Sequence, residues 1–324
     1  MDKTKVKEII GRYGVLPVIN ITETEKAVPL VDSLTAGGLP LIEVTLRSES
    51  SLESIKAIKK ARPEILVGAG TVLTTGKVDA AIDAGANFIV SPGYDPELVR
   101  YCNKLGVSVT PGCSTASEIQ DAVKNGVEIV KFFPAEQSGG LKTIKLLSGP
   151  FPGVKFLPTG GITLDNLGGY LSCDKVIACG GSFMANSAMI AAGDFDGITK
   201  NCERAVRESL GFRLAHIGIN GKSRGDSFAT AKFIASLFGF PIRECSASVF
   251  AGEIAECMDF PRGTNGHIGI STRSVVRAME YLSAKGVGFD TETFKYDKAG
   301  NVTCAYFREE IAGFAWHIVK GELR

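Results

Sequence analysis

The chain has 324 residues, 44% hydrophobic and 22% charged, with a net charge of +1. That is an ordinary globular composition with length for two domains, and the near-zero charge gives no reason to expect nucleic acid or an anionic membrane as partner. No apolar run approaches membrane-spanning length, and the polar start, Met1 to Glu8, lacks the apolar core of a signal peptide, so a cytoplasmic protein is the default expectation.

Eight cysteines are scattered without a Cys-x-x-Cys pair, which argues against a disulfide framework or a cysteine-rich zinc site. The three histidines, His216, His267 and His317, all lie in the last third. Chemistry in residues 1–210 must therefore do without the commonest general base and metal ligand.

Short β-favouring runs are expected as strands at residues 15–19, 41–46, 65–72, 88–91, 107–110, 129–133, 155–158 and 176–178. Between them, stretches such as 51–61 and 77–84 carry apolar residues three or four apart, the spacing of a helix with one buried face. Eight strands alternating with helices predict an α/β fold, a closed (β/α)8 TIM barrel. An open doubly wound sheet is the alternative. The lack of a Gly-x-Gly-x-x-Gly motif after the first strand counts against that alternative as a dinucleotide fold.

Polar and glycine residues gather at the carboxyl ends of these strands, the rim where barrel enzymes carry their active sites. Glu43, Thr45 and Arg47 alternate and should share one face of a strand. A structural ion pair between Glu43 and Arg47 is the plainer reading of that pattern. In Glu128-Ile-Val-Lys-Phe-Phe-Pro-Ala-Glu136, Lys131 falls inside an apolar run ended by Pro134. Burial there disfavours the ammonium form, and a neutral amine attacks ketones to give a Schiff base. Alternatively its stem packs on Phe132 or Phe133 while the head reaches water. Gly160-Gly161 and Gly180-Gly181-Ser182 should end the seventh and eighth strands. Backbone N–H groups there suit phosphate or another oxyanion, although tight turns explain such glycines too.

Taken together, Glu43-Val-Thr-Leu-Arg47, Gly68-Ala-Gly-Thr-Val72, Ser91-Pro-Gly93, Lys131-Phe-Phe-Pro-Ala-Glu136, Pro158-Thr-Gly-Gly-Ile162 and Gly180-Gly-Ser182 resemble the 2-keto-3-deoxy-6-phosphogluconate / 4-hydroxy-2-oxoglutarate aldolase family. The resemblance covers about residues 9 to 209. It implies a class I aldolase on a (β/α)8 barrel, usually a homotrimer, without metal or cofactor. It also implies the roles: Lys131 as Schiff-base lysine and Glu43 as general acid/base. Arg47 and Thr71 would hold the pyruvate carboxylate and orient the glutamate, and Pro92 would form a wall beside it. Thr159 would lie by the nascent imine, and Phe133 beside the nucleophile. Gly160, Gly161, Gly180, Gly181 and Ser182 would form the phosphate end.

The last third repeats itself. Ala215-His-Ile-Gly-Ile-Asn220 and Gly266-His-Ile-Gly-Ile-Ser271 each precede an expected helix, at 228–238 and 275–285, followed by further strands. Two such βαβββ units resemble the vicinal-oxygen-chelate (glyoxalase-like) superfamily, with the closing Gly313-Phe-Ala-Trp-His-Ile-Val319 as further support. That resemblance makes His216, Glu256, His267 and His317 the metal ligands, His317 standing where the superfamily usually has glutamate. Imidazole and carboxylate together suit zinc, nickel, cobalt, iron or manganese. A degenerate, metal-free domain is the alternative. The expected organisation is thus an aldolase barrel over 1–210 and a glyoxalase-like α+β domain over 211–324. The substrate should be a small keto acid or sugar phosphate, with pyruvate as product. Two other functions remain open at this point: a phosphate-binding isomerase or epimerase on the same barrel, and a metabolite-binding protein without turnover.

Overall fold

Apolar runs bounded by glycine, proline and N-capping side chains set out the elements of the first part of the chain. In the computed structural model, which describes residues 2–321, the chain divides into two compact units, Met1–Ser209 and Leu210–Arg324.

The first unit carries strands β1 (Val15–Ile19), β2 (Leu41–Thr45), β3 (Leu66–Gly70), β4 (Phe88–Val90), β5 (Ser108–Thr110), β6 (Ile129–Phe132), β7 (Lys155–Pro158) and β8 (Cys179–Gly181), with helices between them. Thr74, Asp95, Thr115 and Thr163 each accept a hydrogen bond from an N–H in the first turn of the helix that follows, which fixes where that helix starts. Six strands form a parallel sheet in the order β5-β4-β3-β2-β1-β8, and β6 pairs with β7. Parallel bridges Gly112–Lys131 and Thr159–Gly180 link the two sets. β2 and β3 are buried along their whole length, as parallel strands covered on both faces should be. Among the described residues, no helix is long and apolar enough to cross a membrane.

Two boundaries differ from expectation, and both matter at the rim. β2 stops at Thr45, so Arg47 does not extend the alternation of Glu43 and Thr45. Serine hydroxyls turn the chain here: Ser48 and Ser50 donate to Ile21 O and Ser51 to Thr45 O, folding it back into the helix Ser51–Ala61. The eighth strand is Cys179–Gly181 rather than 176–178. Val176 makes only an isolated bridge to Phe156, whereas Cys179, Gly180 and Gly181 pair with Val15, Leu16 and Pro17. Gly180 and Gly181 are thus ladder residues and not a turn. Gly160 and Gly161 do need glycine's freedom, with φ of 95° and 81°.

The second unit is one mixed eight-stranded sheet in the order β10-β11-β12-β9-β13-β16-β15-β14. Its strands are β9 (Arg213–Asn220), β10 (Ile242–Glu244), β11 (Ser248–Ala251), β12 (Ala255–Met258), β13 (His267–Thr272), β14 (Phe289–Tyr296), β15 (Val302–Phe307) and β16 (Ala315–Lys320). Each half runs strand, helix, three strands, with helices Arg224–Phe238 and Val275–Ser283. The first strand of each half lies parallel to the fourth, β9 to β12 and β13 to β16, and β9 meets β13 antiparallel. The first helix begins four residues earlier than its apolar pattern suggests, because the Ser223 side chain caps it by accepting from Asp226 N–H. Ala231 and Ala235 of that helix pack with Val249, Ala251, Ala255 and Cys257.

Gly68 tests the packing of the first unit: a Cβ there would fall 2.2 Å from Cζ of the Phe88 ring, itself wholly buried. Gly68→Ala is expected to lower stability by about 1–3 kcal/mol in urea unfolding, the usual cost of overpacking a core; unchanged stability would refute this close contact.

Candidate active site and histidine centre

Lys131 lies on β6, with 6% of its surface exposed. Its Nζ donates to Glu43 Oε1 on β2 at 3.1 Å and sits 5.7 Å from the Phe133 ring centroid. The stem is therefore held in the interior and the head is turned to a carboxylate. Glu43 bonds Lys131 and not Arg47, and it has no exposed surface. Its second oxygen, Oε2, has no protein partner, and neither has the buried hydroxyl of Thr159. Two unpartnered polar atoms in a dry interior are costly unless a bound molecule or water completes them.

The strand ladder explains how so polar a pair fits. A Cβ at Gly70 would fall 2.1 Å from Glu43 Oε1, so glycine on β3 leaves the space the carboxylate fills. A Cβ at Gly180 would fall 2.4 Å from Thr159 Oγ1, so glycine on β8 does the same for that hydroxyl. One at Gly161 would meet Glu136 Cγ at 2.5 Å. Glu136 in turn accepts from the hydroxyl of Tyr170 and from its own N–H donates to Gly160 O, tying the glycine turn to β6.

Above the pair opens a cavity of about 340 Å³. Arg47, Thr71, Pro92, Lys131, Phe133, Thr159, Gly160, Gly161, Gly181 and Ser182 all line it. Glu43 and Gly180, the other two residues expected at this site, do not line it; Glu43 bonds Lys131, and Gly180 lies against Thr159. Arg47 Nε donates to Thr45 Oγ1 at 3.2 Å, which orients the guanidinium although the residue is off the strand. Thr71 has φ of 56°, a conformation a β-branched residue rarely takes, and it lies directly after β3 at the cavity. Asn20, Asn186 and Ser187 also line the cavity. Nothing in their local sequence marked them: Asn20 lies in a loop, Asn186 caps the helix Ser187–Ala192, and Ser187 is its first residue.

In the second unit the four residues expected as ligands converge from the first and fourth strand of each half. Glu256 Oε2 lies 3.1 Å from His216 Nε2 and 3.1 Å from His267 Nε2. His317 Nε2 lies 3.0 Å from His216 Nε2, and donor nitrogens of the three histidines all fall within 4.8 Å of one another. Glycine again makes the room: a Cβ at Gly269 would fall 2.7 Å from both His216 Nε2 and His317 Nε2. Ser248 donates to the other oxygen of Glu256 at 2.6 Å, and Cys304 Sγ lies 3.4 Å from His317 Nδ1. Burial works to raise the Glu256 carboxyl, but hydrogen bonds from His216, His267 and Ser248 outweigh it and hold the group well below the usual carboxylate range. Burial, reinforced by the neighbouring His216 and His267, pushes His317 down to about 3, which favours a neutral imidazole. Three imidazoles and an ionised carboxylate are a donor set that fits a divalent transition metal. Ser248, Cys304 and Tyr306, which stacks on His317 at 4.5 Å, went unmarked in the sequence because only strand register brings them here.

The known proteins that this chain resembles give the class of the first unit: it is an aldolase, a carbon–carbon lyase. The family model for KDPG and KHG aldolase matches residues 6–201. A 2-dehydro-3-deoxy-phosphogluconate aldolase of Treponema pallidum is 45% identical over 200 residues, 62% of this chain and 95% of that protein. Among solved structures, a KDPG aldolase from Legionella pneumophila with pyruvate captured as a covalent carbinolamine is 37% identical, with a TM-score of 0.60 over 61% of this chain and 97% of that one. The 2-keto-3-deoxy-6-phosphogluconate aldolase of Zymomonas mobilis with 3-phosphoglycerate is 35% identical, with a TM-score of 0.60 over 63% and 96%. The chain belongs to the KDPG and KHG aldolase family.

Gly180→Ala should displace the Thr159 hydroxyl while the parallel sheet survives. We expect kcat/KM for aldol cleavage to fall about 10- to 100-fold with an unchanged circular-dichroism spectrum. A fully active variant would mean that Thr159's position has no bearing on turnover.

Proposed function

We propose that the first unit is a closed (β/α)8 barrel, residues 1–210, that cleaves 4-hydroxy-2-keto acids through a Schiff base on Lys131. The observation that carries this reading is the buried 3.1 Å contact between the Lys131 amine and the Glu43 carboxylate, with Lys131 at a cavity that Arg47, Thr71 and Ser182 also line. The cyclic order of strands and the two bridges that join β6 and β7 to the rest support the closed barrel.

In this mechanism Glu43 takes a proton from the Lys131 ammonium, and the freed amine attacks the C2 ketone. Glu43 gives that proton to the carbinolamine hydroxyl, which leaves as water; the nitrogen becomes a protonated imine, the electron sink for the next step, and Glu43 is again a carboxylate. Thr159, whose hydroxyl has no protein partner, is the group beside this carbon. A base removes the C4 hydroxyl proton, the C3–C4 bond breaks toward the iminium, and an aldehyde leaves. Glu43 serves as that base directly or through water, and it returns a proton to C3 of the enamine. Hydrolysis then releases pyruvate and regenerates the amine. Arg47 and Thr71 hold the C1 carboxylate, Arg47 by a bidentate grip; Pro92 and Phe133 wall the site. Gly160, Gly161, Gly181 and Ser182, with Gly180 beneath them, take the far oxyanion.

The preferred substrate is 2-keto-3-deoxy-6-phosphogluconate, giving pyruvate and glyceraldehyde 3-phosphate, with 4-hydroxy-2-oxoglutarate, giving pyruvate and glyoxylate, as the second. The relative holding 3-phosphoglycerate supports a phosphorylated ligand. Comparing kcat/KM on the two substrates decides between them. The family resemblance further supports a homotrimer, to be checked by sedimentation.

For residues 211–324 the proposed reading is a vicinal-oxygen-chelate domain of two βαβββ modules with a divalent metal, one of zinc, nickel, cobalt, iron or manganese, held by His216, Glu256, His267 and His317. The pairing of first and fourth strands in each half and the shared position of the four donor atoms support it.

Borohydride with pyruvate should trap one adduct on Lys131, read as the added mass of a reduced pyruvyl group on its peptide. Lys131→Ala should show neither adduct nor cleavage, and near-normal cleavage by that variant would refute the mechanism. Glu43→Gln should lower kcat about 10²- to 10⁴-fold, the range for loss of a positioned acid/base. For the second unit, one equivalent of divalent metal per chain is expected by elemental analysis, and His267→Ala should lose it while aldol cleavage continues. Equal metal content in that variant would place the ion elsewhere.

A further inference from the structure

The cavity of the first unit carries its positive charge at one end. Of the residues that line it, Arg47 and Lys131 are the only cations, and the proposed chemistry uses both at the keto-acid end. An oxyanion at the other end must therefore be held by neutral donors, hydroxyls and backbone N–H groups, whose direction decides how well they bind. Gly160, Gly161 and Ile162 border the cavity there. Among the described residues, no protein acceptor takes the N–H of Gly161 or of Ile162.

Both carbonyls of this turn are held by residues that do not line the cavity. Gly160 O accepts from Glu136 N–H at 3.1 Å, and Gly161 O from Asn166 Nδ2 at 2.9 Å. A trans peptide is planar, with C=O and N–H pointing opposite ways, so fixing a carbonyl also aims the N–H of the following residue. The Gly160 carbonyl thus sets the Gly161 N–H, and the Gly161 carbonyl sets that of Ile162, each turned away from the residue that holds it. Asn166 is itself fixed. It stands three residues after Thr163, the N-cap of the helix Leu164–Leu171, and its Oδ1 accepts from Thr163 N–H at 2.9 Å. With Oδ1 so used, the amide presents Nδ2 to Gly161. The Glu136 side chain packs against Gly161, its Cγ 2.5 Å from where a Cβ would stand, and Tyr170 holds its carboxylate.

We infer that Asn166 is a positioning residue for the phosphorylated substrate: by holding Gly161 O it turns the Ile162 N–H into the cavity, where with the Gly161 N–H it takes the far oxyanion, and Asn166 itself touches no substrate atom. This rests on the Schiff-base reading of the first unit, and the two fail in different assays. Without the amide donor, the Gly161–Ile162 peptide is free to rotate and bring its carbonyl oxygen toward the anion. The full chain is measured in two reactions. Cleavage of 2-keto-3-deoxy-6-phosphogluconate uses both ends of the cavity. Exchange of the pyruvate methyl hydrogens in heavy water, followed by NMR, uses only the keto-acid end: the imine forms, Glu43 takes a methyl proton, and a solvent deuteron replaces it. Two variants remove the donor in different ways. Asn166→Asp keeps the oxygen that accepts from Thr163 N–H but adds a charge, whereas Asn166→Ala adds no charge but loses that acceptor. Each should raise KM for the phosphorylated substrate about tenfold, the order for one hydrogen bond to a charged group, with kcat within about twofold. Pyruvate exchange should stay at the wild-type rate in both.

Wild-type KM in both variants overturns the role of Asn166 and leaves the Schiff-base reading intact. A rise in Asn166→Asp alone assigns the effect to the added charge, and a rise in Asn166→Ala alone assigns it to the helix cap; either overturns the role. Loss of pyruvate exchange together with cleavage makes Asn166 a general support of the fold, and overturns it too. Absence of pyruvate exchange in the wild-type chain overturns the Schiff-base reading, and this inference with it.

Discussion

The first unit is organised around the cost of burying two opposite charges. Glu43 has no exposed surface and Lys131 has 6%, so neither group has bulk water to solvate it. Mutual attraction offsets part of that cost, yet buried ion pairs seldom add net stability relative to well-packed apolar residues. An arrangement this costly is maintained by the surrounding scaffold. Here the scaffold is the parallel ladder, which presents Glu43 from β2 and Lys131 from β6 and clears space with glycine at 70 and 180. The pair is incomplete as it stands, since Glu43 Oε2 and the Thr159 hydroxyl lack protein partners. Of the two, Thr159 lines the cavity.

The second unit solves a similar problem in a different way. Four donors are brought together by strand register across a mixed sheet, with Gly218 and Gly269 leaving room for imidazole rings. A Cβ at Gly218 would fall 1.9 Å from His267 Nδ1. The repeated His-Ile-Gly-Ile is thus a unit with a physical reason: one residue supplies an imidazole, and the glycine two positions on, on the same face of the strand, gives way to an imidazole from the neighbouring strand. The two repeats meet antiparallel, so each glycine faces the other's histidine: His267 pairs with Gly218, and Gly269 with His216. One motif used twice therefore builds both halves of one centre.

In both units, glycines are prominent for what they permit next door more than for their own conformation. Gly68, Gly70, Gly180, Gly218 and Gly269 admit Phe88, Glu43, Thr159, His267 and the pair His216 and His317. From sequence, Gly160-Gly161 and Gly180-Gly181 read as tight turns or as phosphate loops. The turn reading holds at Gly160 and Gly161, whose φ values are positive, and fails at Gly180, which is a ladder residue. A glycine's reason is local when φ is positive and non-local when a neighbouring strand needs the space, and only the second kind escapes sequence reading.

What the sequence determined by itself was periodic or local. Short β-favouring runs and helical spacing between them marked eight strands with their helices, the Lys131 run between Glu128 and Pro134, and the doubled histidine motif, because each depends on residues near one another in the chain. The tertiary structure decided what depends on register between distant strands. It chose Lys131 rather than Arg47 as the partner of Glu43, across 88 positions. It moved the last strand of the first unit to Cys179–Gly181, and it brought Ser248, Phe250, Cys304 and Tyr306 to the histidines. Periodicity tells which face a side chain takes, whereas its partner is fixed only when sheet pairing sets two strands side by side.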